Sequence, residues 1–486
     1  MTLRSTTTRA PDDETDHFYP PGVAAPQQPL KPLSFLWHAV QNPIRTLPRS
    51  TYTEPVTVHR PTPRRAVAWI CDPDLIEELL VDKQGRFHKH YFEERVLGAA
   101  LGDGLLIARG DNWRWQRRML APLFRPAEIA GYVGKMAAVA AGMTDNWRER
   151  FRQQGRAGLV LAFDREMVDV TFRIISATML AGGEPEEAEQ IKLAGDDYLR
   201  PSSWEIAFAI LQVPAWFWHP AKGRMARAAR RMRTAITAIV ERHARGSLPT
   251  QGGGDLLGRL LAARDPETGA AISRELVVDN LLTLLNAGHE TTARALTWTV
   301  YLLASAPGWQ ERAREEVCSV VGEAPITADH LGRLVVVERV LKEAMRLYPP
   351  AGVLARTPVT PTRLGGIDYV PGNQLIVPIW CVHRHEKLWD DPGRFDPDRF
   401  LPEREAARAR LQYLPFGAGP RVCIGATFAM AEAKVLLAEM LRSARFTYAG
   451  ERPPEPISRV TIRPRGGLAL AIDVLDRVSS TTIQRA

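Results

Sequence analysis

FGAGPRVCIG (residues 416–425) sets one cysteine among three glycines, a proline and an arginine. It lies between a strand-like run, LQYLP (411–415), and a helix-like one, ATFAMAEAKVLL (426–437). A thiol there is buried filler, a nucleophile, half of a disulfide or a metal ligand, and all four readings stand at first. The surroundings favour the last. Gly417, Gly419 and Gly425 permit tight turns and close backbone approach. A helix starting near Gly425 aims its free N–H groups and positive end back at the sulfur, which favours thiolate. Arg421 adds positive charge, and Phe416 can shield one side of the sulfur from water. GAGPRV begins like a dinucleotide-binding GxGxxG, but Val422 stands at the third glycine position and no βαβ context precedes it.

The rest of the chain narrows the choice. Its 486 residues are 45% apolar and 24% charged, with a formal charge of +8 and a pI near 9.4. That is an ordinary globular balance with room for a large core and a cofactor. No zinc-finger, homeodomain or RNP-type pattern accompanies the basic charge, so nucleic acid is not expected as a partner. Cys71, Cys318, Cys381 and Cys423 are far apart and form no CxxC, which argues against structural zinc and for reduced thiols. The N-terminus carries no apolar signal segment and no run is long enough to span a bilayer, so the expectation is a cytoplasmic protein without a transmembrane anchor.

Residues 1–17 read as a disordered tail, and 18–486 as a single domain with no internal repeat and no clean linker. A Pro-rich extended stretch covers 19–34. Strands are expected at 56–60, 64–71, 353–357, 368–380 and 459–472. Helical periodicity covers 111–150, 158–196, 221–245, 256–264, 274–305, 307–321 and 331–348. The fold class is α+β, mainly α: a large helical body with a smaller β-rich region.

ELVVDNLLTLLNAGHETTARALTWTVYLLASA (275–306) is apolar on nearly every side. A helix without a polar face belongs inside a large protein, and at 1.5 Å per residue this one is about 45 Å long. Its midpoint carries NAGHETT, with Gly288 weakening the helix and Thr hydroxyls able to bond back to carbonyls and open a local distortion. Further on, LKEAMRLYPP places Glu343 and Arg346 as i,i+3 neighbours that can pair on a helix ending before Pro349-Pro350. WDDPGRFDPDRF (389–400) lies between that helix and the cysteine stretch.

These stretches together resemble the cytochrome P-450 family of haem-thiolate monooxygenases. Phe416, Gly419, Arg421, Cys423 and Gly425 match the family's FxxGxRxCxG cysteine loop at every fixed position. Ala287-Gly288-His289-Glu290-Thr291-Thr292 matches its central-helix signature, and Glu343 and Arg346 its ExxR motif. The resemblance runs from about residue 30 to 475. It implies haem b buried between the central helix and the cysteine-loop helix, with Cys423 as the axial metal ligand. Glu290 and Thr291 become an acid–alcohol relay delivering protons to the oxygen site. Arg399 completes a structural triad with Glu343 and Arg346. Trp113, Arg117, Arg356 and Arg421 become partners of the haem propionates, and Ala287, Gly288, Phe416 and Gly425 line the cofactor.

The implied activity is insertion of one oxygen atom of O2 into a lipophilic molecule such as a terpenoid, steroid or fatty acid, by hydroxylation or epoxidation. The pocket candidates are the 88–105 loop, residues 198–222, Thr283, Asn286 and Val353-Leu354, most of them apolar. Electrons are expected from a separate ferredoxin or flavodoxin with its reductase, docking near Arg114, Arg118 and Arg125, on a monomeric protein. PAWFWHPAK (214–222) reads as an access lid rather than a membrane-dipping surface. The rival readings are a haem-thiolate peroxygenase or isomerase, and a non-catalytic haem sensor or carrier.

Overall fold

The fold is built around the apolar helix just read from the sequence. In the computed structural model, which describes residues 18–475 except 63–64, 155–158, 181–184, 200, 211–212, 215, 246–255 and 266, it runs unbroken from Arg274 to Ser305. The Ser273 hydroxyl caps its first turn by accepting from the Leu276 N–H, and it ends at Ala306, ahead of Pro307. Helices Phe163–Met179, Lys222–Ala244, Val335–Leu347 and Ala426–Ser443 pack against this central helix. An apolar helix needs neighbours all round, and these supply them. Trp298 stacks on Tyr348 at 3.9 Å between centroids, tying the central helix to the end of the Val335–Leu347 helix.

Among the described residues the β part is a five-stranded sheet and a three-stranded sheet, with two small hairpins. The larger sheet runs in the order Val56–Thr62, Arg65–Ile70, Gln374–Val377, Leu354–Pro358, Phe87–Lys89. Its Arg65–Ile70 and Gln374–Val377 strands are parallel and its other pairs antiparallel. The smaller sheet joins Leu159–Ala162, Ala469–Val474 and Ala444–Tyr448. The expected disordered tail, 1–17, lies outside the described residues.

Several element boundaries differ from the sequence reading, and the strand expected at 368–380 is two strands, Ile367–Tyr369 and Gln374–Val377, followed by a helical turn, Ile379–Val382. The helical stretch 111–150 divides into Gly110–Leu120, Pro126–Ala130 and Val133–Gln154, because Pro122 and Pro126 cannot continue a helix started before them. The segment 158–196 opens with a strand, Leu159–Ala162, whose side chains alternate buried and exposed as a strand's do. The strand expected at 459–472 is two strands, parted by Gly466 and Gly467 at φ 79° and 93°. Among the described residues no helix is long and apolar enough to cross a membrane.

Candidate active site

The cysteine loop is held from both sides. Gly417 and Gly419 both adopt φ 71°, which L side chains rarely take, and a Cβ on Gly419 would collide with the Leu80 carbonyl. The Cys423 N–H donates to the Phe416 carbonyl at 2.9 Å, closing the loop on itself. Arg421 lies over the Trp113 ring, 4.3 Å from its centroid, and donates to the Ala108 carbonyl at 3.0 Å. The helix Ala426–Ser443 follows with Gly425 at its N-cap, and the Gly425 N–H donates to the Cys423 sulfur.

Cys423 is enclosed by protein yet open to a water-sized molecule, so it borders interior space rather than packed core. Burial raises its thiol pKa, and the Gly425 N–H and the Arg117 charge pull the other way without winning. The helix N-terminus and the nearby positive charge read from the sequence therefore do not by themselves ionise the thiol. In the bare protein desolvation dominates, and ionisation falls to a bound metal ion, which deprotonates a coordinating thiol outright. The other cysteines differ. Cys381 is fully buried, 3.2 Å from the Thr51 hydroxyl, with its thiol pushed up to about 12 by burial. Cys71 is buried against the Thr51 carbonyl, and Cys318 lies on the outer surface.

Beside Cys423 is a crowd of cations short of anions. Lys89 and Arg356 face each other directly on neighbouring strands, an arrangement that repels. Arg421 is pushed down to about 10, by burial first and then by Arg356. Burial also lowers Arg356 and Arg117. The carboxylate recorded among these groups is Glu93, 3.6 Å from Lys89. Buried guanidiniums normally come paired, so this donor set fits a group carrying two carboxylates. The residues that sequence reasoning missed here are Lys89 and Glu93. Lys89 carries a signal, since it interrupts a strand with charge.

Glu343, Arg346 and Arg399 meet as expected. Both side chains of the Glu343–Arg346 pair are fully buried, with a bidentate contact at 2.6 and 2.7 Å. Arg399 lies 3.5 Å from Glu343 and donates to the carbonyls of Asp390 and Asp391. Arg346 also donates to the carbonyls of His383, Pro392 and Arg394, so one guanidinium gathers the 383–394 meander. His383 carries the link onward. Burial keeps its imidazole neutral, and its Nε2 accepts from the Leu414 N–H at 3.0 Å, just ahead of the cysteine loop.

The central helix departs from the expected pattern. Ala287 is exposed and Thr291 half-buried in the middle of an otherwise buried helix, so this face also borders interior space. The Thr291 hydroxyl donates to the Ala287 carbonyl at 2.7 Å. Glu290 does not meet it. Its carboxylate is held by Arg294 at 2.9 and 3.2 Å and accepts from Thr461 at 2.9 Å. Burial alone would raise its pKa, but Arg294 outweighs that and lowers it. The expectation of an adjacent acid–alcohol pair is corrected, because successive residues sit about 100° apart around a helix and Arg294 fixes Glu290 on another side. Nor does Gly288 open a distortion, for the helix is continuous. A Cβ at Gly288 would collide with Ile175, so the glycine lets two helices approach. Thr283 is buried against Gly104, and Asn286, half-buried, lies against Gly195.

The model of one family, Cytochrome P450, matches residues 28–470. The chain belongs to the cytochrome P450 family. A cytokinin hydroxylase of Arabidopsis thaliana is 32% identical over 418 residues, covering 84% of this chain and 79% of the relative. A cyclooctatin synthase of Streptomyces melanosporofaciens is 33% identical over 411 residues, covering 84% of both chains. The crystal structure of the cytochrome P450DA heme domain superposes with a TM-score of 0.74 at 28% identity, covering 93% of each chain. This P450 is thus a monooxygenase that uses haem with a cysteine thiolate ligand, dioxygen, a redox partner and a lipophilic substrate. Its fold is the mainly helical α+β fold expected from the sequence.

Proposed function

We propose that Cys423 is the thiolate ligand of this P450 and that the haem lies between it and the Ala287–Thr291 face of the central helix. The observation that carries the reading is the position of the one interior, accessible thiol beside buried and half-buried cations that have a single carboxylate, Glu93, recorded against them. Arg117, Arg356 and Arg421 would hold the two propionates, with Trp113 buttressing Arg421. Phe416 and Gly425 flank the sulfur, and the Gly425 N–H moderates its charge. Cys381 does not suit the role, since its packed surroundings leave no space for a porphyrin. When bound, haem supplies the reductive activation of dioxygen.

The protein's own residues then position and protect. Val353 and Leu354 present apolar surface beside the cysteine loop, and Leu354 lies 3.5 Å from where a Gly417 Cβ would stand. With Ala287 they favour a lipophilic substrate and exclude water from the reacting carbon. The Thr291 hydroxyl offers a proton-carrying group on the same face, while Glu290 sits in reserve on Arg294. Hydroxylation of a C–H bond is the reaction that the names of the relatives suggest. Arg114, Arg118 and Arg125 are exposed, and a ferredoxin or flavodoxin with an acidic face is the electron donor they favour.

The test is the ferrous–carbon monoxide spectrum of the purified protein. The parent and Cys381→Ala should show the red-shifted thiolate-type Soret band, and Cys423→Ser should lose it. A serine variant with the parent spectrum would end this reading.

A further inference from the structure

Glu93 is the carboxylate recorded acting on Lys89, Arg356 and Arg421 alike. It stands in the first turn of the Phe92–Leu101 helix, and its Oε1 lies 3.6 Å from the Lys89 ammonium. That ammonium also donates to the Leu106 carbonyl at 2.5 Å, and the Lys89 side chain is buried. The second oxygen of Glu93, Oε2, is buried and has no hydrogen-bond partner. The next residue offers a contrast. Glu94 stands in the same first turn, but its side chain is exposed and pairs with the exposed Arg109 at 2.7 Å. Either carboxylate suits the positive end of the helix, so the helix alone does not account for burying one of them with a bare oxygen. A charge shielded from water acts on its surroundings more strongly than an exposed one. Glu93 exerts that reach on the cations beside Cys423.

We propose that Glu93 lowers the reduction potential of the haem that this cluster would hold, its negative charge offsetting the pull of Lys89, Arg356 and Arg421 on an incoming electron. Reduction adds one electron from the redox partner to the ferric iron, and no bond at Glu93 is made or broken. Positive charge nearby favours that electron and negative charge opposes it. Lys89, Arg356 and Arg421 together favour ferrous iron, and Glu93 restores part of the balance toward ferric. That bias limits idle reduction of the resting protein, and with it the idle passing of electrons to dioxygen. Glu93 acts through the cations rather than on the reacting atoms, so it is a positioning residue. The inference rests on the proposed site, because it needs the cofactor to lie against this cluster.

Spectroelectrochemical titration of the full-length holoprotein, without substrate, tests it. Glu93→Gln keeps the shape of the side chain and removes its charge. It should favour ferrous iron about tenfold, an upward shift of about 59 mV. Lys89→Met removes the opposing charge and should shift the potential downward by a similar factor. Glu94→Gln is the control: it removes the same charge from the same helical turn, but from an exposed pair, and should move the equilibrium less than about twofold. A Glu93→Gln potential equal to the parent's, or no further from it than that of Glu94→Gln, overturns the proposal. So does a Lys89→Met shift in the same direction as that of Glu93→Gln. Thermal melting of the apoproteins separates structure from redox, since a Glu93→Gln protein that melts earlier with its potential unmoved gives Glu93 a structural role only. Should Glu93→Gln take up no haem, Lys89→Met decides by the sign of its shift. The ferrous–carbon monoxide spectrum is read on the same samples. A parent without the thiolate band ends the proposed site, while a thiolate band with unmoved potentials ends the role of Glu93 alone.

Discussion

Arg356 is a buried guanidinium whose hydrogen bond goes to the carbonyl of its own neighbour, Ala355, at 3.0 Å. It faces Lys89 across the sheet and shares its surroundings with Arg421. A protein that stood alone would gain from relieving that repulsion, which implies that the positions serve a bound anion. Arg356→Leu should therefore move two quantities in opposite directions. The apoprotein should keep or gain thermal stability, since a crowded charge is removed. Haem affinity should fall by about 10- to 100-fold, since a hydrogen bond to a charged group contributes about 1.5–3 kcal/mol. Haem transfer to apomyoglobin, followed optically, measures the second. A loss of apoprotein stability with unchanged haem affinity would give Arg356 a structural role only. Arg356 and Arg421 were legible from the sequence because each stands in a short stretch that the family resemblance covers. Lys89 was not, because its strand partner lies 267 positions away.

The central helix shows how one element serves two neighbours at once. Its Ala287–Thr291 face borders interior space, while Gly288 admits Ile175 of the Phe163–Met179 helix. Gly288→Ala should cost about 1–3 kcal/mol by overpacking, in excess of any gain in helix propensity. Ile175→Val should recover part of that in the double variant, as measured by denaturant unfolding. Additive losses would show that the two positions are not coupled. The helix itself was plain in the sequence, since an apolar run of this length with no polar face has few other fates. The direction of each polar side chain was not. Glu290 is fixed by Arg294 on its own helix and by Thr461, which is 171 positions away. No local pattern shows which of two adjacent residues will be claimed by a distant strand.

Across the whole molecule, a continuous polar chain runs from the Glu343–Arg346 pair through His383 to Leu414 and the cysteine loop. Glu343→Gln should leave Arg346 a buried and poorly compensated charge and cost about 3–5 kcal/mol. The loss should appear as a lower unfolding midpoint together with faster haem release, because the loop is held through the same chain. A lowered midpoint with haem release unchanged would separate the triad from the site. The sequence by itself determined the mainly helical α+β class, the central helix, the cysteine loop and the ExxR pairing, because each depends on residues within a few turns of one another. Only the tertiary structure decided that Glu290 turns from Thr291 to Arg294 and that Gly288 makes way for Ile175. Those outcomes depend on which distant groups reach a side chain first, and burial multiplies the energy of that choice by stripping away the water that would otherwise make the alternatives nearly equal.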